Sequence, residues 1–552
     1  MLAAPGGPRL PAAKVVRLAF PRYDGTLTPY TFELGYPLVT LVYDTLLWRD
    51  AEGVPRPWLA QSITPSQGGR TLTVTLRAGV RWQDGQPLTA EDVAFTFDFV
   101  AGHFHPRFTP ELADVERVQT TGPLTVTIEL RHVALGFADQ PLADMPILPK
   151  HLWQNLAPGQ AAPPGLPVGS GPYRLVSARP AGGYVFRANP GYFMGPPRAG
   201  EIAVPIIGGE QALYAALHQR RVDALPLSLP QTPAADFAGT LGIALRTGPS
   251  YAGTALLFNL RRLPFARLAA RRAVASALDL GGIASAVAPA TAAEQGFIHP
   301  ASPWAFGAPV QRYDPSAARH GLAPLKLTRL RVLAPNNDPV RLEAGRQVVL
   351  ALGRAGAAAT LTPLSPTALA QAIGESGSQP NFDAAIESTP PLASYDPDYL
   401  ATMFGSDSRL APLNFGAYRS HAFDVLAARV AAAPDAGSRR QATREELSLL
   451  AADAPSVPLF FSRGTFAYRP SIYDGWVFVK GTGILDKRSF LAAPVPAAGA
   501  AAGASNAGGH GSPSSSGSAF DLVNILSVLV LVAVLALAVA ALRQRRSRTG
   551  KR

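Results

Sequence analysis

No cysteine occurs in the 552 residues, which removes disulfides, thiol nucleophiles and thiolate metal sites together, and with them any lipid carried on a cysteine. Also missing is a basic stripe interleaved with aromatics. Half of the formal charge of +12 comes from Arg543, Arg545, Arg546, Arg548, Lys551 and Arg552 at the extreme C-terminus, and the remainder is scattered, which argues against nucleic acid as a partner. There is no P-loop. The Gly169-Ser170-Gly171 turn lacks the third glycine of a dinucleotide fingerprint and is not a Gly-x-Ser-x-Gly elbow. No nucleophile and base stand together, so a hydrolase is disfavoured and the chain reads as a non-enzyme. His103 and His105 have no third ligand nearby in sequence, so neither a metal nor a cofactor is expected. Residues 1–14 carry no apolar core of the length a secretion signal needs, which leaves a signal ahead of this start, a signal trimmed away, or insertion directed by the C-terminal span, with a missing signal favoured.

What is present is a long, folding-competent chain. Its length exceeds one ordinary core and implies at least two lobes in the range of roughly 100 to 200 residues each. Leu72, Val74 and Leu76 alternate with Thr71, Thr73 and Thr75, the period of a strand buried on one face. Gln83-Asp84-Gly85-Gln86 supplies the backbone freedom of a tight turn. Thr89 with Asp92 predicts a helix N-terminus, and Val93, Phe97 and Val100 then share one helical face. Further on, Leu330 to Ala334 reads as a strand, Asp338-Pro339 caps a helix running to about Arg354, and a second strand follows around Ala359 to Leu364. This βαβ pattern implies a mixed or parallel sheet covered by helices.

The stretch YDTLLWRDAEGVPRPWLAQSITPSQGGRTLTVTLRAGVRWQDGQPLTAEDVAFTFDFV, Tyr43 to Val100, resembles the N-terminal part of the family 5 solute-binding proteins of ABC importers, the peptide- and nickel-binding group. Other phrases follow in order. Thr26-Leu27-Thr28-Pro29 resembles TLDP, and Gly169-Ser170-Gly171-Pro172-Tyr173-Arg174 resembles GTGPYK. Phe258-Asn259 through Pro264-Phe265, Arg271-Arg272-Ala273-Val274 and Ala277-Leu278-Asp279 look like the entry to the second lobe. Pro458-Leu459-Phe460-Phe461 and Tyr468 look like the closing strands.

The resemblance implies an α/β, two-lobed periplasmic-binding-protein fold of type II with an extra subdomain in lobe I. Expected boundaries are 15–44, 169–256 and 466–493 for the segments of lobe I, 45–168 for the inserted subdomain and 257–465 for lobe II. It implies a receptor that closes on a solute by a hinge and delivers it to a permease with separate ATPase subunits. The solute would be a peptide, modified peptide, opine or oligosaccharide, and the receptor a monomer. The alternative is a membrane-anchored sensor module that signals through a partner; loss of a transcriptional response with uptake intact would mark it.

The C-terminus predicts an anchor. Residues 494–519 are almost entirely Ala, Gly, Ser and Pro, a flexible tether spanning about 25–30 Å. The apolar segment within 520–542 is long enough to cross a hydrocarbon core of roughly 30 Å. The basic residues 543–552 place the C-terminus in the cytoplasm and the binding part outside the cell membrane.

For the ligand site, the family's ADYNDP phrase carries the Asp that holds a peptide amine. Here Leu392-Ala393-Ser394-Tyr395-Asp396-Pro397 puts Ala393 at that position. An unpaired buried ammonium costs several kcal/mol, so free-amine peptides should bind poorly unless Asp396 or Glu387 substitutes. Asp396 is also suited to starting a helix over Tyr399 to Phe404. The ligand-binding candidates are Arg22, Tyr23, Trp304, Asn336, Asn337, Ser394, Tyr395 and Asp396. No catalytic and no metal residue is expected.

Overall fold

The computed structural model describes residues 13–491, apart from 33–34, 157–159, 288–289, 308, 311, 326–328 and 376. The expected tether, apolar span and basic tail lie outside the described residues. Among the described residues no helix is long and apolar enough to cross a membrane.

Three layered cores organise the chain. The first lobe is built on a four-stranded sheet in which Ala13–Arg17 runs parallel to Ala199–Val204, followed by Gly183–Ala188 and Tyr173–Arg179 in antiparallel order. Its core draws on three distant stretches: Val16, Leu18, Phe20 and Leu38 to Tyr43 early, Tyr173 to Val204 in the middle, and Phe466, Tyr473, Trp476, Ile484 and Phe490 at the end. A buried ion pair joins the extremes, because Lys487 Nζ donates to Asp44 Oδ1 at 2.6 Å with both side chains fully buried. Asp44 also accepts from Trp58 Nε1, Tyr192 Oη and Ser170 Oγ at 2.8, 2.9 and 2.9 Å, so the charge is well satisfied.

A separate antiparallel layer holds Ala60–Ser66, Thr71–Leu76, Thr125–Leu130 and Val115–Gly122. Val74 and Leu76 are buried as the alternation predicts, and they pack with the helix Ala90–Gly102 through Val93, Phe97 and Val100. The turn before that helix closes by Trp82 N–H donating to Gln86 O at 2.8 Å, with Gly85 at φ +93°. Thr89 and Asp92 form a reciprocal capping box, satisfying two amide donors that the first helical turn leaves open.

The second lobe is a six-stranded mixed sheet ordered Ala290–Ala292, Ser456–Ser462, Gly253–Phe258, Ala384–Thr389, Leu330–Pro335, Ala359–Leu364. Leu330–Pro335 pairs parallel to both of its neighbours, and the crossover is the helix Pro339–Arg354. Asp338 caps that helix by accepting from Arg341 N–H at 2.9 Å, with Pro339 at the first helical position. Two connections, before Gly253 and after Ser462, join this sheet to the pair Ala244–Thr247 and Thr465–Tyr468 of the first lobe.

Candidate functional site

Parallel strands leave the helix-facing loops at their carboxyl ends, where ligands of open α/β sheets are held. In the first lobe those ends lead into Phe20 to Asp24 and into Ile206 to Glu210; in the second they lead into Asn336 to Arg341 and Glu387 to Thr389. Electrostatic influence runs between the two lobes here. Arg22 acts on Glu375 and Asp338 acts on Glu210, each pair drawn from opposite lobes.

The charges in this cleft are mostly acidic. Burial pushes Glu387 up to about 7, opposed by Arg341, whose Nη1 lies 4.0 Å from its carboxylate, and reinforced by Glu375. Burial likewise pushes Glu210 up to about 7, with Asp338 adding repulsion and the Tyr214 hydroxyl opposing it. Arg341 is shared, since its Nε donates to Asp338 Oδ2 at 2.7 Å. On the other wall Arg22 Nε donates to Asp24 Oδ1 at 3.0 Å, and Tyr23 stacks on Tyr184 with ring centroids 5.1 Å apart. Asn336 and Asn337 are exposed at the strand-to-helix turn beside Asp338. The cleft therefore gathers Arg22, Tyr23, Asn336 and Asn337 from the sequence expectation. It adds Glu210, Tyr214, Arg341 and Glu375, which no local pattern marks, and Asp338, marked only as a helix cap.

The other four expected residues belong to a different place. Ser394 is 1 % exposed, its hydroxyl accepts from His299 N–H at 2.9 Å, and its carbonyl accepts from Ser302 Oγ. This moves Ser394 from the cleft surface to the interior. The Trp304 indole donates to the Tyr395 carbonyl at 2.8 Å, and its ring lies under the Arg439 guanidinium at 4.7 Å, so one face is already covered by the protein. Asp396 is buried and ion-paired with Arg439, which is itself 0 % exposed and also holds Asp398. It still helps to start the helix Tyr399–Phe404, accepting from Asp398 N–H at 3.1 Å, although Asp398 is the N-cap position.

Tyr395 spans the lobes. Its hydroxyl donates to the carbonyl of Lys480 in the segment that returns to the first lobe, the Arg49 guanidinium sits 4.1 Å above its ring, and Tyr251 packs on its edge. These contacts tie residues of the two halves together. Ala393, at the family's amine-holding position, is buried in the second lobe and offers no acceptor side chain.

Of the two histidines, His105 is buried and His103 is exposed. His103 stacks on Phe99 at 3.9 Å, and His105 stacks on Phe108 while burial pulls its imidazole down to about 4. Among the described residues no group of three or more His, Cys, Asp or Glu side chains is arranged to hold a metal.

Comparison with known proteins agrees with this architecture. The profile described as bacterial extracellular solute-binding proteins, family 5 Middle, matches residues 54–410. Protein XP55 of Streptomyces lividans is 30% identical over 273 residues, 49% of this chain and 48% of that protein. A putative binding protein of Brucella melitensis is 30% identical over 156 residues, 28% of this chain and 25% of that protein. The chain thus aligns with about a quarter to a half of the length of these curated relatives. Among solved structures, the oligopeptide-binding protein AppA of Bacillus subtilis, in complex with a nonapeptide, superposes with a TM-score of 0.78 at 19% identity, covering 88% of this chain and 100% of that one. AgaA from A. tumefacien R10, in complex with agropinic acid, gives 0.74 at 19% identity, covering 86% and 96%. These likenesses establish the two-lobed binding-protein fold. With the profile match spanning well over half of its length, the chain belongs to the bacterial extracellular solute-binding proteins of family 5.

Proposed function

We propose that this protein captures a small solute in the cleft between its lobes and hands it to the permease of an ABC importer. What supports the reading is the electrostatic influence across the lobes, of Arg22 on Glu375 and of Asp338 on Glu210, beside carboxyl-end loops that also carry Tyr23, Asn336, Asn337 and Glu387. A ligand touching both walls favours the closed form by its difference in affinity for the two conformations, and the closed form is the shape a permease distinguishes.

Ligand preference follows from what the amine position lacks. Asp396 cannot replace the missing acid, because Arg439 already holds it. Glu387 is the remaining candidate, but it has Arg341 beside it and, pushed up to about 7, it is only partly ionised near neutrality. A cleft that mixes carboxyls with two guanidiniums suits blocked peptides, opines or polyhydroxyl oligomers better than free-amine dipeptides.

The tether, apolar span and basic tail inferred from the sequence of residues 494–552 would hold such a monomeric receptor at the outer face of the membrane, raising its effective concentration at a membrane partner. Mass spectrometry of the solute that co-purifies with the protein tests the reading. A bound solute released on unfolding and rebound with contraction of the molecule is the expected result; absence of contraction with any solute of a broad library overturns it.

A further inference from the structure

We infer that closure of the second lobe onto the antiparallel layer takes up protons, through the carboxyl cluster of Glu111, Asp139, Asp396 and Asp398 that the closed form brings together. This goes beyond solute capture, though it rests on the hinge that capture requires. Glu111 and Asp139 come from the short turns Pro110–Leu112 and Ala138–Leu142 packed on the antiparallel layer; Asp396 and Asp398 come from the second lobe. Between them lies a cavity of about 60 Å³ lined by Glu111, Asp114, Gly136, Gln140, Asp396 and Asp398, among others. The approach is close, since a Cβ added at Gly136 would fall within 1.9 Å of Asp396 Oδ2.

The positive charges facing this cluster are only partly committed, since Arg49 Nε and Arg439 Nε and Nη1 have no hydrogen-bond partner among the described residues. Arg107 holds Asp144 by two hydrogen bonds of 2.7 Å. Arg49 Nη2 lies 3.5 Å from the Asp139 carboxylate and donates to the Asp139 carbonyl, and Nη1 donates to that of Ala143. Arg439 serves Asp396 and Asp398, with Glu446 behind it on the same lobe; His132 pairs with Asp114 at 2.9 Å. That leaves both carboxylate oxygens of Glu111 and Oδ1 of Asp398 with almost no exposed surface and no hydrogen-bond partner among the described residues. A buried carboxylate without donors, as at Glu111, is stable only when protonated, whereas Asp398 keeps Arg439 on its other oxygen and is 25% exposed. The tyrosines at hand, Tyr36 and Tyr399, add no positive charge. Glu446 is buried within one lobe and contributes equally before and after closure.

The directions agree. Burial pushes Glu111 well above the carboxylate range, with Asp144 and Asp396 adding to it against Arg107 and Arg49. Burial pushes Asp398 up to about 7, with Asp396 and Asp114 adding to it against Arg439. Burial pushes Asp139 up to about 7, Asp396 adding against Arg49 and Arg439. Opening returns Glu111 and Asp398 to water and to the ordinary carboxylate range. Closed protein therefore binds more protons than open protein between roughly pH 4 and 7 and is favoured as pH falls. One group moving from about 4 to about 7 changes the closed-to-open ratio about tenfold between pH 8 and pH 6.

The test uses the full chain stripped of solute, with dyes on Phe104→Cys and Val425→Cys, which are 55% and 46% exposed and meet no native thiol. Energy transfer should report a closed fraction that rises at least about tenfold in ratio from pH 8 to 6, with about one proton's worth of that slope lost in Glu111→Gln. Asp398→Asn serves as the second variant should the first fail to fold. Closure that ignores pH, that follows added sodium or calcium at fixed pH instead, or that keeps its full slope in both variants overturns the inference. Contraction on binding solute together with indifference to pH refutes this inference alone; immobility under both refutes the hinge as well.

Discussion

Changing Tyr395 to Phe isolates one of the contacts that tie the lobes together. The substitution keeps the ring under Arg49 and against Tyr251 and removes only the oxygen that donates to the Lys480 carbonyl. In the open form water replaces that donor. In the closed form the carbonyl loses it, so the cost, about 1 kcal/mol for a net hydrogen bond and up to about 3 for an acceptor left buried, falls on one conformation. Solute affinity should drop about fivefold and no more than about 150-fold. The loss should appear in the dissociation rate, because encounter involves the open form. Calorimetry and stopped-flow release of the co-purified solute provide the measurement. An unchanged dissociation rate would show that the hydroxyl contact does not hold the closed form together.

Lys487→Met strands Asp44 in the interior with only neutral donors, and denaturant titration should show a loss of about 3 kcal/mol, the low end of the range for broken buried pairs because three hydrogen bonds remain. Thr89→Ala, opening the capping box, should cost about 1 kcal/mol in the same assay. Glu387 is raised from the ordinary carboxylate range to about 7, so its charge burdens the folded form progressively as pH rises through that window and not below it. Thermal scans from pH 5 to 8 should show a smaller decline in Glu387→Gln than in the parent. Calorimetry should find N-acetylated dipeptides bound more tightly than their free-amine parents; the reverse order would restore an amine anchor to the cleft.

Local physics made much of the fold legible. Alternation placed Val74 and Leu76 inside, the Thr89 and Asp92 pair marked a helix start, and Asp338-Pro339 marked another, because each depends on neighbours within a few residues. Arg22, Tyr23, Asn336 and Asn337 could be proposed from the sequence only because they sit at such ends. Glu210, Glu375 and Arg341 gain their meaning from partners on other elements, and nothing near them in sequence announces it. The loop at 392–398 draws its partners from afar for the same reason, His299 meeting Ser394 and Arg439 meeting Asp396 from 95 and 43 positions away. Arg439 itself sits on Ala436–Asp453, a helix polar enough that its buried guanidinium reads as a surface charge.

The first lobe takes strands from the start, middle and end of the described chain, and its Asp44 to Lys487 pair joins residues 443 positions apart. A ribosome adding about 5–20 residues per second needs on the order of half a minute or longer to traverse that separation. Until then the opening strand has no finished home, and the polypeptide stays threadable. Any machinery that moves it across a bilayer thus meets a half-made object, and the far side is where the last turn of chain clicks the lobe shut.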